Sequence, residues 1–515
     1  MDLAPLFSLV LLMVISMVIG GLANKASEEG GFLRGYFLGN RGLGSWSMAL
    51  TATVMSGGTF MGFPSLVYQY GWVLALWIAS YMMVPLCTFA VLGKRMGWLA
   101  RKTGAITLPE LLRERFQSPM VGVVSSAVMI FLLAFGLISQ FKGGAIILQK
   151  VLPPIPFGDP NQVFVGQTLQ FHYGLAIFTL VVLSYTVYGG FLAAVWTDLF
   201  QSVLMAIGIL VLFPLAMQRS GGLEAATQAG IAAVGPGFAF APGAGREFLP
   251  PGLAFSFFAM WSIAGMGQPA TLVRLMAFRD TPTLRHAIFL LGTYNALIYI
   301  PIVLIFVCAR AILPNLEKPD EVMPTMALTV ASPWLAGLIL AAPFGAVMAT
   351  VSGFLVQISS GLVQDLYHRF INPDAGERTL RRISNLGMTI IALAAAGAAT
   401  QSPKFLQALI VFTGGSAACA FLVPAVMAAF WRRGTARGVL IAMLGGMGTM
   451  LGLYAAGWIQ GKDPGIAEPS KFAPVYLFGI APFVWGLVVS AIGGVVGSLL
   501  DSPPNEERVR ALFPE

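Results

Sequence analysis

The chain has 515 residues, 57% of them hydrophobic and only 10% charged, with a mean hydropathy of +0.80 and a formal net charge of +8. A soluble domain carries about 25% charged residues, so this composition excludes a water-soluble globular chain. It describes an all-α polytopic membrane protein with little mass outside the bilayer, organised as a single transmembrane domain over residues 1–515.

Thirteen apolar runs are each long enough for a hydrocarbon core of ~30 Å. Their cores are 4–22, 46–69, 71–93, 119–147, 173–190, 191–217, 252–277, 286–312, 333–363, 384–401, 404–431, 436–458 and 472–499. The first follows the leader MDLAPLF, which has Asp2 and no Lys or Arg, so it reads as a retained helix rather than a cleaved signal. The second contains TATVMSGGTF, residues 51–60, with two adjacent glycines between Ser56 and Thr59. An unpaired backbone group in hydrocarbon costs several kcal/mol, so a break at membrane depth needs a compensating use.

The fourth run carries Lys142 in LISQFKGGAII, toward the outer end. Two readings stand: the side chain snorkels to the interface, or it faces an outer vestibule and attracts a carboxylate-bearing solute. The sixth run holds the one acidic residue of 22 that lies well inside an apolar run, Asp198 in FLAAVWTDLFQSVLMAIGIL. A carboxylate there needs a cation, a donor or a proton. Counting up from a turn at Gly189 and Gly190, at ~1.5 Å per residue, places it in the inner half, where Thr350 and Ser352 of the ninth run could share an ion site with it. A purely structural Asp198, bonded to Thr197 or Gln201, is the alternative.

The seventh run is interrupted in WSIAGMGQPATLV, residues 261–273, where Gly265, Gly267 and Pro269 weaken the helix. Arg274 and Arg310 sit near run ends and read as interfacial anchors. Five runs separate the two breaks, an odd number, so the second group of five enters the membrane from the opposite side. Spans 2–6 (46–217) and 7–11 (252–431) therefore form an inverted repeat with discontinuous helices 2 and 7, flanked by helix 1 and peripheral helices over 436–499. Such folds hold solute and coupling ion where the broken helices meet.

Of the 30 Lys and Arg, 21 fall at alternate connections, from Lys25 to Arg510, which places the N-terminus outside and the tail 500–515 in the cytoplasm. The basicity thus orients the chain and predicts no nucleic-acid partner. Cys87, Cys308 and Cys419 lie in apolar runs as small hydrophobes. His172, His286 and His368 are scattered at run ends, and neither HExxH nor GxxxxGK[ST] occurs, so no enzyme is expected.

Three stretches carry a family resemblance. GYFLGNRGLGSWSMALTATVMSGGTFMGFPSLVYQYGW at 35–72, SYTVYGGFLAAVWTDLFQ at 184–201 and FWRRGTARGVLIAMLGG at 430–446 resemble the sodium:solute symporter family. The segments LGKRMGWLARKTGAITL and SQFKGGA are most similar to its bacterial sodium/pantothenate symporters, over about residues 30–450. The resemblance implies thirteen helices, a leucine-transporter-type five-plus-five inverted repeat, and sodium-coupled uptake across the bacterial inner membrane. It places sodium against the carbonyls of Ala52, Met55 and Ala346 and the Thr350 hydroxyl, with Asp198 and Ser352 assisting. Ala349 stands where the family's pattern has a serine, so one of five expected oxygens is missing. Val54 replaces an aspartate of the proline symporters.

For the solute, the resemblance implies Ser56, Gly57, Trp261, Gly265 and Pro269, with Lys142 outward of them. Gly265, where some relatives carry an aromatic gate, is expected to leave room for a bulkier solute. The expected partners are a small organic solute, such as a monocarboxylate of the pantothenate kind, and the lipid bilayer. Oligomeric state is left open. Proton-coupled or ion-independent carriage, or a transporter-like sensor or channel, are the alternatives; the short segment after Leu500 weighs against a sensor.

Overall fold

The computed structural model describes residues 3–27, 44–51, 56–153, 163–240, 249–401, 406–460 and 472–513, which form helices and turns with no β-strand. Eleven helical segments among them are long and apolar enough to cross a membrane. In chain order the helices are α1 Ala4–Ser27, α2 Ser45–Thr51, α3 Phe63–Tyr70, α4 Ala75–Val84, α5 Val91–Thr103, α6 Leu108–Phe116 and α7 Pro119–Val151. There follow α8 Val163–Ser220, α9 Leu223–Val234, α10 Pro251–Ile263, α11 Pro269–Ala277, α12 Thr281–Ile312, α13 Val322–Val330 and α14 Pro333–Ser360. The chain closes with α15 Glu377–Ala399, α16 Leu406–Phe430, α17 Ala436–Gln460, α18 Pro482–Leu499 and α19 Glu506–Leu512.

Local chemistry sets several boundaries. Thr107, Ser118 and Asp280 cap α6, α7 and α12, each accepting from a backbone N–H in the first turn, with proline at the start of each helix. At Asp280 the bonds from Thr283, with a lesser pull from Arg279, bring the exposed carboxyl down to about 2. The helical stretch Gly58–Thr103 is divided at Gly71, whose φ is +79°; any Cβ there would also collide with the carbonyl of Phe238. Only glycine meets both requirements.

The hydrogen bonding of α8 stays helical over 58 residues, yet a straight helix of that length would run ~87 Å. Its contacts with α14 show a reversal. Phe178 packs on Phe344 and Tyr185 donates to the Met348 carbonyl, whereas Gln201 meets Gly345 and Gly208 meets Ala342. The two arms thus travel along α14 in opposite senses, as the spans Thr168–Val187 and Ala193–Ser220. Small residues at Gly208, Ala342 and Gly345 let these backbones approach closely, which is how helices associate without a hydrophobic drive between them. Helix α14 forms the most enclosed candidate span, 78% of its apolar window being buried.

At the far end, Phe513 beyond α19 turns back under the body of the molecule. Its ring lies 4.8 Å from the Arg95 guanidinium and 4.9 Å from that of Arg115, and Arg95 Nη2 donates to the Leu512 carbonyl at 3.3 Å.

Candidate functional site

The second expected interruption lies wholly among the described residues and the first only from Ser56 onward, since 52–55 lie outside them. Helix α2 is described as far as Thr51, Ser56 is a bend, and a π-turn over Gly58–Gly62 leads into α3. Ser56 caps its own restart: its Oγ accepts from the Gly58 N–H at 3.1 Å, and its carbonyl from the Thr59 N–H at 2.9 Å. The Gly57 N–H, freed by the break, donates to Gln140 Oε1 of α7 at 2.9 Å. In the other half, α10 gives way to a 3-10 turn over Ala264–Gly267, then to extended Gln268, and α11 begins at Pro269. Pro269 has no N–H to continue the ladder and suits a helix start. The Gln268 amide donates to the Gly414 carbonyl at 3.0 Å, tying the break to α16.

Between these breaks lies a cavity with about 120 Å³ of room for water centres, enough for several molecules. Its wall includes Ser56, Gln140, Trp261, Gln268 and Pro269 from near the breaks, together with Asp198, Ser202, Arg274, Ala349 and Thr350. Beyond Trp261 the space narrows to about 10 Å³ beside Thr59, Trp77 and Tyr81. Tyr81 stacks on Trp261 at 5.4 Å and on Tyr299 at 4.1 Å, Trp77 meets the Trp261 edge at 5.8 Å, and the Tyr299 hydroxyl bonds Thr59 Oγ1 at 3.0 Å.

The cavity's two charged wall residues, among the described residues, are Asp198 and Arg274. Arg274 Nη2 donates to Asp198 Oδ2 at 2.8 Å, with the side chains 10% and 6% exposed. Arg274 is thus no interfacial anchor: because α11 starts only at Pro269, Arg274 falls little more than a turn beyond the break, facing Gly353. Nor is Asp198 bonded to Thr197 or Gln201; Thr197 turns back to the carbonyls of Ala193 and Ala194. Ser202 Oγ lies 2.7 Å from the Asp198 carbonyl and 3.1 Å from that of Leu50, linking α8 to the end of α2.

The remaining site residues divide. Ala349 and Thr350 line the cavity, and Thr350 Oγ1 donates to the Ala346 carbonyl at 2.9 Å. Ser352 is fully buried away from the cavity, its hydroxyl on the Ala349 carbonyl at 3.0 Å. Ala52 and Met55, with Val54, lie outside the described residues. Gly265 departs from expectation: a Cβ there would come within 2.6 Å of Thr88 Oγ1, so the glycine admits the turn Pro85–Ala90 between α4 and α5 instead of enlarging the cavity. Gly267 likewise admits the α16 backbone at Ala418.

Lys142 departs furthest. It neither snorkels nor faces the cavity: its ammonium is buried against Asp320 Oδ2 at 3.3 Å. Asp320, from the segment before α13, also accepts from the Leu406 N–H at 3.0 Å and the Ser65 hydroxyl at 3.3 Å. Burial pushes the Asp320 carboxyl above its usual range, and Lys142 opposes that shift. Gln140, Ser202, Gln268, Arg274 and Asp320 are absent from the sequence-based set. Arg274 alone had a legible signal, as a cation in the same run as a break, opposite an intramembrane acid lacking a partner.

The sequence profile of the Sodium:solute symporter family matches residues 36–446. The chain belongs to the sodium:solute symporter family. It is therefore a sodium-coupled carrier of a small solute, a multi-pass inner-membrane protein and not an enzyme, with sodium as the coupling ion. The Sodium/pantothenate symporter of Escherichia coli (strain K12) is 31% identical over 504 residues, 97% of either chain. That of Haemophilus influenzae is 30% identical, covering 92% of this chain and 95% of the relative. A Sodium/proline symporter from the same organism is also 30% identical, over 95% and 93%. Among solved structures, a Na+-coupled sialic acid symporter in a substrate-bound outward-open state superimposes with a TM-score of 0.72, covering 98% of this chain and all of that one at 19% identity, a likeness of fold.

Proposed function

We propose that this symporter carries a small organic monocarboxylate of the pantothenate type, held between the two helix breaks beside sodium. The observation that carries the reading is the cavity that joins Ser56, Trp261 and Pro269 to Asp198, Arg274 and Thr350. The likeness to two sodium/pantothenate symporters supports the solute class. In this reading the sodium oxygens come from Ala52, Met55, Ala346 and Thr350, with Asp198 supplying charge, and Gly57 holds Gln140 in place at the solute.

The finer architecture belongs to the same proposal: thirteen spans, with Gly58–Thr103 counted as two and α10 with α11 as one, arranged as repeats 46–217 and 252–431. The distribution of Lys and Arg supports an outer N-terminus and a cytoplasmic C-terminus. The cavity then faces inward, with the Tyr81, Trp261 and Tyr299 stack closing the outer side, and alternating access rocks one repeat against the other.

Uptake of radiolabelled pantothenate and proline into proteoliposomes tests this reading, with sodium and proton gradients imposed separately. Pantothenate accumulation driven by sodium is expected. Accumulation of proline alone would overturn the solute class, and indifference to the sodium gradient would overturn the coupling. Ala349→Ser adds an oxygen at the cavity wall; one further ligand at ~1 kcal/mol should lower the sodium half-saturation concentration about fivefold. An unchanged value would show that position 349 does not touch the ion.

A further inference from the structure

The buried pair that spans the cavity is incompletely satisfied on both sides. Asp198 uses Oδ2 for Arg274 and leaves Oδ1 without a partner among the described residues. Arg274 uses Nη2 for Asp198 and Nη1 for the Ala270 carbonyl at 3.3 Å, and leaves Nε buried without a partner among the described residues. A buried acceptor and a buried donor, both without a partner among the described residues, therefore sit on the two charged residues that line the cavity. Such buried orphans are costly unless a ligand satisfies them. A cation suits the first and an anion the second.

We propose that Arg274 reads the carboxylate of the solute, exchanging its bond to Asp198 for one to the solute while sodium takes the released Asp198 carboxylate. This rests on the monocarboxylate reading above and deepens it. Charge neutrality gives the physical reason. The Asp198–Arg274 pair is neutral, so the anion alone would leave the enclosed site with one net negative charge, and sodium alone with one net positive charge. Either state is costly in a weakly polar interior, whereas both ligands together restore neutrality. Each ligand thereby favours the other with no direct contact required, and the coupling is reciprocal. Arginine suits the task because its planar fork can grip a carboxylate at two points and is always charged. Lys142 cannot serve, since Asp320 already holds it. The exchange also explains how the solute could weaken the tie between α8 and α11 while occupying the space between them.

The test uses the purified full-length protein in nanodiscs and calorimetric titration with pantothenate and with panthenol, its uncharged alcohol analogue, in sodium buffer. Wild-type protein should prefer pantothenate. Arg274→Gln should weaken pantothenate binding at least ~tenfold and leave panthenol unchanged, erasing the preference. The same variant should bind sodium about tenfold more tightly in the absence of solute, because Asp198 is no longer neutralised. Arg274→Lys, which keeps the charge and so protects the fold, should lose part of the preference without the gain in sodium affinity. Equal losses for both compounds, or unchanged sodium affinity in Arg274→Gln, would overturn the exchange. Wild-type protein that binds neither compound would overturn the pantothenate-type reading instead, and the solute-free sodium titration would still decide whether Arg274 competes for Asp198.

Discussion

Asp198→Asn should abolish sodium-driven uptake and lower stability by about 3–5 kcal/mol, the usual result of leaving one member of a buried ion pair uncompensated. The residue left behind is Arg274, only 8% exposed and, among the described residues, with a single other bond, to the Ala270 carbonyl. The double variant Asp198→Asn, Arg274→Gln removes both charges and should regain most of the stability without regaining transport. That split separates the acid's structural and functional roles. Thermal unfolding in detergent and gradient-driven uptake in proteoliposomes measure the two parts, and unaltered uptake by the single variant would reduce Asp198 to packing.

Lys142→Gln should be nearly as damaging for a different reason. It strands Asp320 among Ser65, Leu406 and a neutral amide, and again about 3–5 kcal/mol of stability should be lost. Because Lys142 lies outside the cavity, charged and neutral solutes should suffer alike. Selective loss of carboxylate substrates would restore the vestibule role that the sequence suggests. The pH dependence has a definite sign. Burial raises the Asp320 carboxyl in the folded protein, so the folded state retains the proton to higher pH than the unfolded chain. Removing the lysine raises it further, so the variant should regain stability as pH falls and lose it as pH rises. Thermal midpoints across the acid range check this, and a flat profile would place the defect elsewhere.

Much of the membrane layout was legible because it is written in local chemistry. Apolar runs report spans directly, the Ser-Gly-Gly and Gly-Met-Gly-Gln-Pro interruptions weaken helices wherever they occur, and an aspartate amid apolar residues declares itself. What stayed hidden is pairing across long chain distances. Arg274 looked terminal because run length was counted through the break; once α11 is seen to start at Pro269, the same residue falls at the cavity. Asp320 carries no signal in the sequence, because hydropathy cannot reveal a connection that folds back into the bundle beside Lys142. Asp365 escaped as well: its run was closed at residue 363, while the helical turns continue to Ile371 and bury the acid against Thr107 Oγ1 at 2.7 Å.

The rings that seal one side of the cavity carry an energetic consequence. Tyr81 lies between Trp261 and Tyr299, and two stacked pairs at about 0.5–1.5 kcal/mol each must separate before that face can open. Unloaded protein should then rest with this face shut, the opened form being a minority of roughly one part in ten to one part in a hundred. Tyr81→Leu would loosen the latch and swell that minority, a change that single-molecule distance measurements between labelled helix ends would register.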